Sequence, residues 1–274
     1  MKASEMFNVE GYGVVITGGA SGLGLAFAEV LAENGARVTM LDLSEERIDK
    51  ETKRLRAKGW DARGAVVDVT KRKELIAAVD AAAAEYGRLD VVFANAGIDS
   101  GPGFVTLDRK KRVPEGAVEN YDDARWDKVI ETNLNSVFTT VKAAAKHMKA
   151  RKSGRIIVTT SVAGILIEPG VGAAYMAAKG GAAHFMRTMA LEMAKYNVTV
   201  NAIAPGPFIT NIGGGHAHRP EVQKAFGSAV PLGRMANTEE IKGLALLLAS
   251  PASGYITGAE IPIDGGCLLG VVYD

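Results

Sequence analysis

Cysteine is almost absent. Cys267 is the single one in 274 residues, so no intrachain disulfide can form and the reducing cytoplasm is the expected compartment. An excess of charge is missing too. The 32 basic and 31 acidic side chains leave a net charge of +1, so no bulk field draws the chain to nucleic acid or to an anionic membrane. No apolar run approaches the roughly 20 residues of a membrane span, and the N-terminal MKASEMFNVEGYG lacks the continuous apolar core of a signal peptide. Only 9 prolines and 6% aromatic residues are present. Collagen-like repeats are thereby excluded, and no aromatic platform for stacking bases stands out. These absences predict a soluble protein with a small-molecule partner, not a nucleic-acid or membrane one. Glycine is what the chain has in excess, at 32 residues.

Strand-like and helix-like segments alternate from the start. Runs at Val14–Thr17, Arg37–Asp42, Ala65–Val67, Leu89–Ala94, Arg155–Thr159, Val198–Ile203 and Glu260–Ile263 read as strands. Between them lie helical stretches: Leu23–Glu33, one opened by Ser44 as N-cap with Glu45 and Glu46 behind it, 72–86, Asp122–Lys149, Ala173–Tyr196 and Thr238–Leu248. Strands separated by helices build βαβ units, and right-handed crossovers place helices on both faces of a parallel sheet. The expectation is therefore an α/β, Rossmann-like doubly wound sheet of about seven strands. No linker or internal repeat interrupts it, so residues 1–274 read as one domain. Two stretches, 98–121 and 207–231, break the rhythm as long polar or Gly/Pro-bearing loops. Both follow strands, on the side of a parallel sheet where ligands bind, and are expected over the active site.

The run Thr17-Gly18-Gly19-Ala20-Ser21-Gly22-Leu23-Gly24 follows the first strand and opens the first helix. Gly18 lets the chain turn, Gly22 lets backbone approach a pyrophosphate at the helix N-terminus, and Gly24 lets the helix pack on the sheet. A bare tight turn is the alternative. Asp42, at the end of the second strand, can accept hydrogen bonds from adenosine ribose hydroxyls and would repel a 2′-phosphate. No Lys or Arg lies between Gly18 and Gly24, so NAD(H) is preferred over NADP(H). A cap on the next helix is the other reading of Asp42, although Ser44 can fill that role. Tyr175 and Lys179 are four apart and share one helix face. A phenol titrates near 10 and a neighbouring ammonium should lower that value, which makes the pair a proton exchanger for an alcohol or ketone. By themselves such pairs occur by chance. Ser161, closing a strand in Thr159–Gly164, can hydrogen-bond the same oxygen, and Asn133 sits in a helix despite poor propensity.

Taken in order, TGGASGLG at 17–24, Asp42, Asp68-Val69, Asn95-Ala96-Gly97, Asn133, SVAG at 161–164, YMAAK at 175–179, PG at 205–206 and DGG at 264–266 resemble the short-chain dehydrogenase/reductase family over nearly the whole chain. The resemblance implies an NAD(P)-dependent alcohol dehydrogenase or ketone reductase. It makes Tyr175 the general acid/base and Ser161 the holder of the substrate oxygen. Lys179 would lower the tyrosine's pKa and hold the nicotinamide ribose, while Asn133 would orient a relay water. Gly18, Ser21, Gly22, Leu23, Gly24 and Asp42 would bind the cofactor. Asp68 and Val69 would flank the adenine, Asn95, Ala96 and Gly97 would lie beside the cofactor, and Pro205, Gly206 and Thr210 would contact the nicotinamide. A homotetramer is also implied.

Some features depart from the family pattern. Serine and tyrosine stand fourteen positions apart (161 to 175), one more than usual, so Thr160 or a bulged loop at Ile165–Gly172 is the alternative. The 98–121 connection is long, and its run Asp108-Arg109-Lys110-Lys111-Arg112 reads as a solvated face or as a site for an anionic substrate group. His216 and His218 read as substrate contacts or exposed side chains; no further ligands complete a metal site. Cys267 reads as a structural thiol. Gly180 and Gly181, inside a helix, imply close approach by cofactor, sheet or a second subunit, and Gly213–Gly215 a mobile substrate loop. A non-catalytic NAD-binding regulator and an epimerase or dehydratase of the same family are the rival functions.

Overall fold

The structure, a computed structural model, describes residues 2–106 and 110–270. Seven parallel strands form one sheet in the order β3-β2-β1-β4-β5-β6-β7. They are β1 (Gly13–Thr17), β2 (Arg37–Asp42), β3 (Ala62–Val66), β4 (Val91–Ala94), β5 (Gly154–Thr159), β6 (Val198–Pro205) and β7 (Glu260–Ile263). The helices are α1 (Ala3–Met6), α2 (Gly22–Glu33), α3 (Glu45–Ala57), α4 (Arg72–Tyr86), α5 (Asp123–Ile130), α6 (Ser136–Arg151), α7 (Ala173–Met193), α8 (Pro220–Gly227) and α9 (Lys242–Ala249). None of the described helices is long and apolar enough to cross a membrane.

The pleat distributes each central strand between two cores. Val14 and Ile16 of β1, with Val91 and Phe93 of β4, pack with residues of α2, α3 and α9. Val15, Val92 and Ala94 face the other way, onto α4, α6 and α7. The Phe27 and Phe93 rings stack 4.7 Å apart and fix α2 on the sheet. Strands covered on both faces carry near-continuous apolar runs, which is why β1, β2, β5 and β6 were easy to delimit. β3 is an edge strand whose burial alternates. Arg63 and Gly64 disguise its first half, so it begins at Ala62, three residues before the apolar stretch suggests.

Register brings the functional ends level. Thr17 pairs with Leu41, Ile16 with Phe93, Ala94 with Val158 and Thr159 with Ile203. Connections leave β1 and β4 in opposite directions across the sheet, which opens a crevice outside their carboxyl ends, the usual ligand position in such sheets. The segments read as loops contain structure of their own. Residues 207–231 hold a 3-10 turn, Ile212–His218, and then α8, where Pro220 at the first position presets the helical φ. Gly214 and Gly215 have φ of +76° and +78°, so these glycines shape the turn. Stretch 98–121 is stitched to 165–172 by a Pro102–Val171 bridge and a Gly103 N–Gly170 O hydrogen bond. Asp108 and Arg109 lie outside the described residues, and Arg112 covers the Phe104 ring.

Candidate active site

The glycine turn is held by shape. Gly18 has φ +63° and Gly22 φ +53°, a backbone region that side chains resist. A Cβ on Gly24 would lie 2.1 Å from the Gly18 carbonyl and 2.6 Å from Asn95 Nδ2, so α2 can approach the turn only with glycine there. Ser21 is extended and caps α2 without a side-chain bond. The amides of Gly22, Leu23 and Gly24 stand at the helix N-terminus, where an anion is favoured. Thr210 arches over Gly22, its Cβ 3.5 Å from where a Cβ would stand, so the segment after β6 roofs the turn. This bare, positively polarised cradle fits a dinucleotide pyrophosphate.

Polar side chains lock the strand ends around it. Thr17 Oγ1 accepts from the Asn95 and Ala96 amides at 2.9 and 3.1 Å. Asn95 donates to the Thr17 carbonyl at 2.9 Å and accepts from Thr159 Oγ1 at 3.0 Å. Asn95 thus ties β1, β4 and β5 together. The hydroxyls of Thr17 and Thr159 are contributors that the residue-by-residue sequence reading did not single out; a polar β-branched residue closing a buried strand was the available signal. Asp42 is buried and accepts from Ala20 N at 3.1 Å and Ser44 N at 3.2 Å. It therefore braces the glycine turn and the entry to α3, whose N-cap is Ser44. Asp68 accepts from Thr70 N and Oγ1, and the Thr70 hydroxyl bond holds its carboxyl below the ordinary range against the effect of burial. Val69 beside it is buried.

Asn133, Ser161, Tyr175 and Lys179 converge at the ends of β4 and β5. Lys179 is 3% exposed, donates to the Thr159 carbonyl at 2.6 Å, and places its Nζ 5.6 Å from the Tyr175 ring centre. The Ser161 hydroxyl lies on the Tyr175 side, where it works to lower the phenol's pKa. Thr160 turns away to donate to the Ile203 carbonyl at 3.0 Å, so the serine, not its neighbour, faces the phenol. Ser161 Oγ also meets the Pro205 carbonyl at 3.5 Å. Gly206 sits where a Cβ would press on Asp264 Cα at 2.7 Å. Asn133 is fully buried inside a π-helical turn, Glu131–Asn135, the kind of bulge that interrupts the i→i−4 ladder at functional sites. Its amide is engaged at both ends with Ile98, accepting from N and donating to O, each at 2.8 Å. Gly97 separates Asn133 from Lys179: a Cβ there would stand 3.4 Å from one and 3.7 Å from the other. Gly180 faces the Gly164 carbonyl and Gly181 faces Leu134, so their close approach is to a loop and a helix of the same chain.

One electrostatic expectation is reversed. The neighbouring ammonium was to lower the tyrosine. Here burial pushes the Tyr175 phenol up, the Asp99 charge adds to that, and only the Ser161 hydroxyl works downward. Burial also lowers Lys179, to about 8. Each of the two side chains is thus biased toward its neutral form. Elsewhere, His218 bonds Asn211 at 3.0 Å, and among the described residues no three His, Cys, Asp or Glu side chains group as metal ligands. Burial pushes the Cys267 thiol up to about 11, away from reactivity.

Known proteins share this architecture. Residues 18–267 match the family model described as enoyl-(acyl carrier protein) reductase. The chain is 36% identical over 252 residues to cis-4-hydroxycyclohexanecarboxylate dehydrogenase of Sinomonas cyclohexanicum, covering 92% of this chain and 94% of that one. It is 32% identical to gluconate 5-dehydrogenase of Gluconobacter oxydans, covering 97% and 98%. The crystal structure of a gluconate 5-dehydrogenase from Burkholderia cenocepacia in complex with NADP and tartrate superposes with a TM-score of 0.86 at 32% identity, over 98% of this chain and 100% of that one. With the cradle, the seven-stranded parallel sheet and these relatives in agreement, the chain belongs to the short-chain dehydrogenase/reductase family of oxidoreductases.

Proposed function

We propose that the protein moves a hydride reversibly between NAD(H) and a secondary alcohol or ketone, with Tyr175 as general acid/base. The observation that carries this reading is the grouping of Tyr175 with the buried Lys179 and Ser161 at the end of β5, beside the glycine cradle. Nicotinamide, when bound, accepts or supplies the hydride. In the oxidation direction, Tyr175 Oη takes the hydroxyl proton while Ser161 Oγ hydrogen-bonds the substrate oxygen. The Lys179 ammonium, once charged, favours the phenolate through its proximity. Because the Asn133 side chain is committed to Ile98, the bulged backbone around it is the group left to hold a relay water. The names of the relatives, a hydroxycyclohexanecarboxylate dehydrogenase and a gluconate 5-dehydrogenase, both describe oxidation of a secondary hydroxyl.

Preference for NAD(H) rests on the Asp42 carboxylate at the β2 end, where a 2′-phosphate would meet like charge. A cytoplasmic homotetramer completes the proposal. Tyr175→Phe is expected to lose at least about 10²-fold in kcat, while NADH still saturates the variant in a fluorescence titration and NADPH binds more weakly. Retained turnover removes Tyr175 from this role. NADPH binding as tightly as NADH removes the cofactor preference.

A further inference from the structure

Asp99 follows the end of β4, near enough for its charge to act on Tyr175, and its surroundings fix it there. On one side Ile98 is held by both ends of the Asn133 amide and packs on the cluster that includes Ala174 and Ala178 of α7. On the other side Ser100, 2% exposed, donates to the Gly172 carbonyl at 3.2 Å, and its own carbonyl accepts from Tyr121 Oη at 2.9 Å. Gly172 is the N-cap of α7 and lies three residues before Tyr175. Both neighbours of Asp99 are thus anchored to the first turns of the helix that carries the phenol. Asp99 itself is left half-exposed, with 49% of its side chain accessible.

The carboxylate is only half used. Asp99 Oδ1 accepts from Gly101 N at 2.8 Å and stands 3.7 Å from Arg125 Nη1. Among the described residues Oδ2 receives no hydrogen bond. Gly101 has φ +76°, and a Cβ there would lie 3.2 Å from the Arg125 guanidinium; glycine leaves Arg125 its place behind the acid. An aspartate that only formed this turn would need one oxygen, and asparagine would serve equally. As a neighbour of the base, an acid opposes phenolate formation. Its second oxygen, on a half-exposed side chain, instead leaves an acceptor open to a ligand.

We propose that Asp99 determines substrate class: its free oxygen accepts a hydrogen bond from a second hydroxyl of the substrate, selecting neutral polyhydroxylated alcohols and disfavouring a carboxylate beside the reacting carbon. The inference rests on the proposed role of Tyr175. A ligand hydroxyl bonded to a carboxylate strengthens with charge, whereas a substrate carboxylate at the same place meets repulsion that Arg125, already facing Asp99, only partly offsets.

The test compares xylitol, cyclohexanol and 2-hydroxycyclohexanecarboxylate as substrates of the full-length protein with NAD. Two variants keep a turn acceptor for Gly101 and lose the second carboxylate oxygen: Asp99→Asn, which puts an amide NH2 in its place, and Asp99→Ser, which leaves that place empty. The expected result is a fall in the xylitol-to-cyclohexanol ratio of kcat/KM, about tenfold or more for Asp99→Ser, carried mainly by KM. The carboxylate substrate should gain relative to cyclohexanol in both variants. The acidic limb of the kcat/KM profile should move to lower pH in Asp99→Asn, because the group opposing the phenolate is neutral there, with Lys179 and Arg125 the remaining charges near the pair. A xylitol-to-cyclohexanol ratio that stays constant, or no turnover of xylitol by the natural sequence, overturns the proposal. If Tyr175→Phe is inactive while the ratio is constant, only the role of Asp99 falls; if Tyr175→Phe is active, the reading of the site falls first.

Discussion

Lys179 shows how a single residue can be kept at the expense of stability. Its Nζ is buried beside a carbonyl, with no carboxylate bonded to it among the described residues, and burial takes its pKa from 10.5 to about 8. Below pH 8 the lysine is protonated both folded and unfolded, and the whole cost of burying the charge, about 3 kcal/mol for a shift of that size, weighs on the native state. Between pH 8 and 10.5 the unfolded chain holds more protons, so stability rises with pH through this window. Lys179→Met removes the cost and loses one hydrogen bond, worth about 1 kcal/mol. It is expected to unfold at higher urea than the natural sequence at pH 7, with the gain shrinking by pH 9.5, and to lose turnover. A variant less stable at pH 7 would mean that the ammonium is better solvated than its burial implies. Tyr175, Lys179 and Ser161 were legible because each stands at a motif position tied to a strand end or helix face. Asp99, Ser100 and Tyr121 were not: the segment is placed by contact of Ser100 and Tyr121 with Gly172, 72 positions beyond Ser100, and nothing local to 98–121 signals it.

Among the elements, the glycine turn and the π-bulge do the positioning, and they differ in how readable they were. Glycine at 18, 22 and 24 announces itself, because left-handed φ and the absence of a Cβ are properties that sequence records directly. The bulge announces only an ill-placed asparagine; its partner, Ile98, is 35 residues away. Helix α8 was hidden for a related reason, since the glycines and Pro220 read as breakers although proline opens that helix. Gly24→Ala tests the turn as a unit. The new methyl would fall 2.1 Å from the Gly18 carbonyl, a clash with backbone that no rotamer relieves, so α2 must lift from the turn. Overpacking of this kind typically costs about 1–3 kcal/mol. The expected outcome is a lower Tm together with NADH affinity weakened by more than about tenfold, one decade being about 1.4 kcal/mol. Normal NADH titration in a destabilised variant would detach the turn from cofactor binding.

At the scale of the whole molecule, the sheet was predictable from strand–helix alternation, while its outer surfaces were not, because a partner chain leaves no periodicity of its own. Large apolar side chains are exposed in several places, and two groups of them lie on elements that can face a second copy. On α6 and α7, Phe138 is 41% exposed, with its ring 5.9 Å from Phe185, and Leu191 is 84% exposed. On the side of β7, Tyr255 and Leu269 are almost wholly exposed, and β7 itself is only half-covered, whereas strands of parallel sheets are ordinarily buried on both faces. One self-complementary patch makes a dimer; two on different sides of the chain make a dimer of dimers with D2 symmetry. Sedimentation velocity at micromolar concentration is therefore expected to give about four times the 28.8 kDa chain. Leu191→Glu puts a charge at the centre of the first patch and should reduce the particle to a dimer held through the β7 side, since an unpaired buried charge is expensive at an interface. A natural sequence that sediments as a monomer would leave both patches as ordinary surface and remove the tetramer.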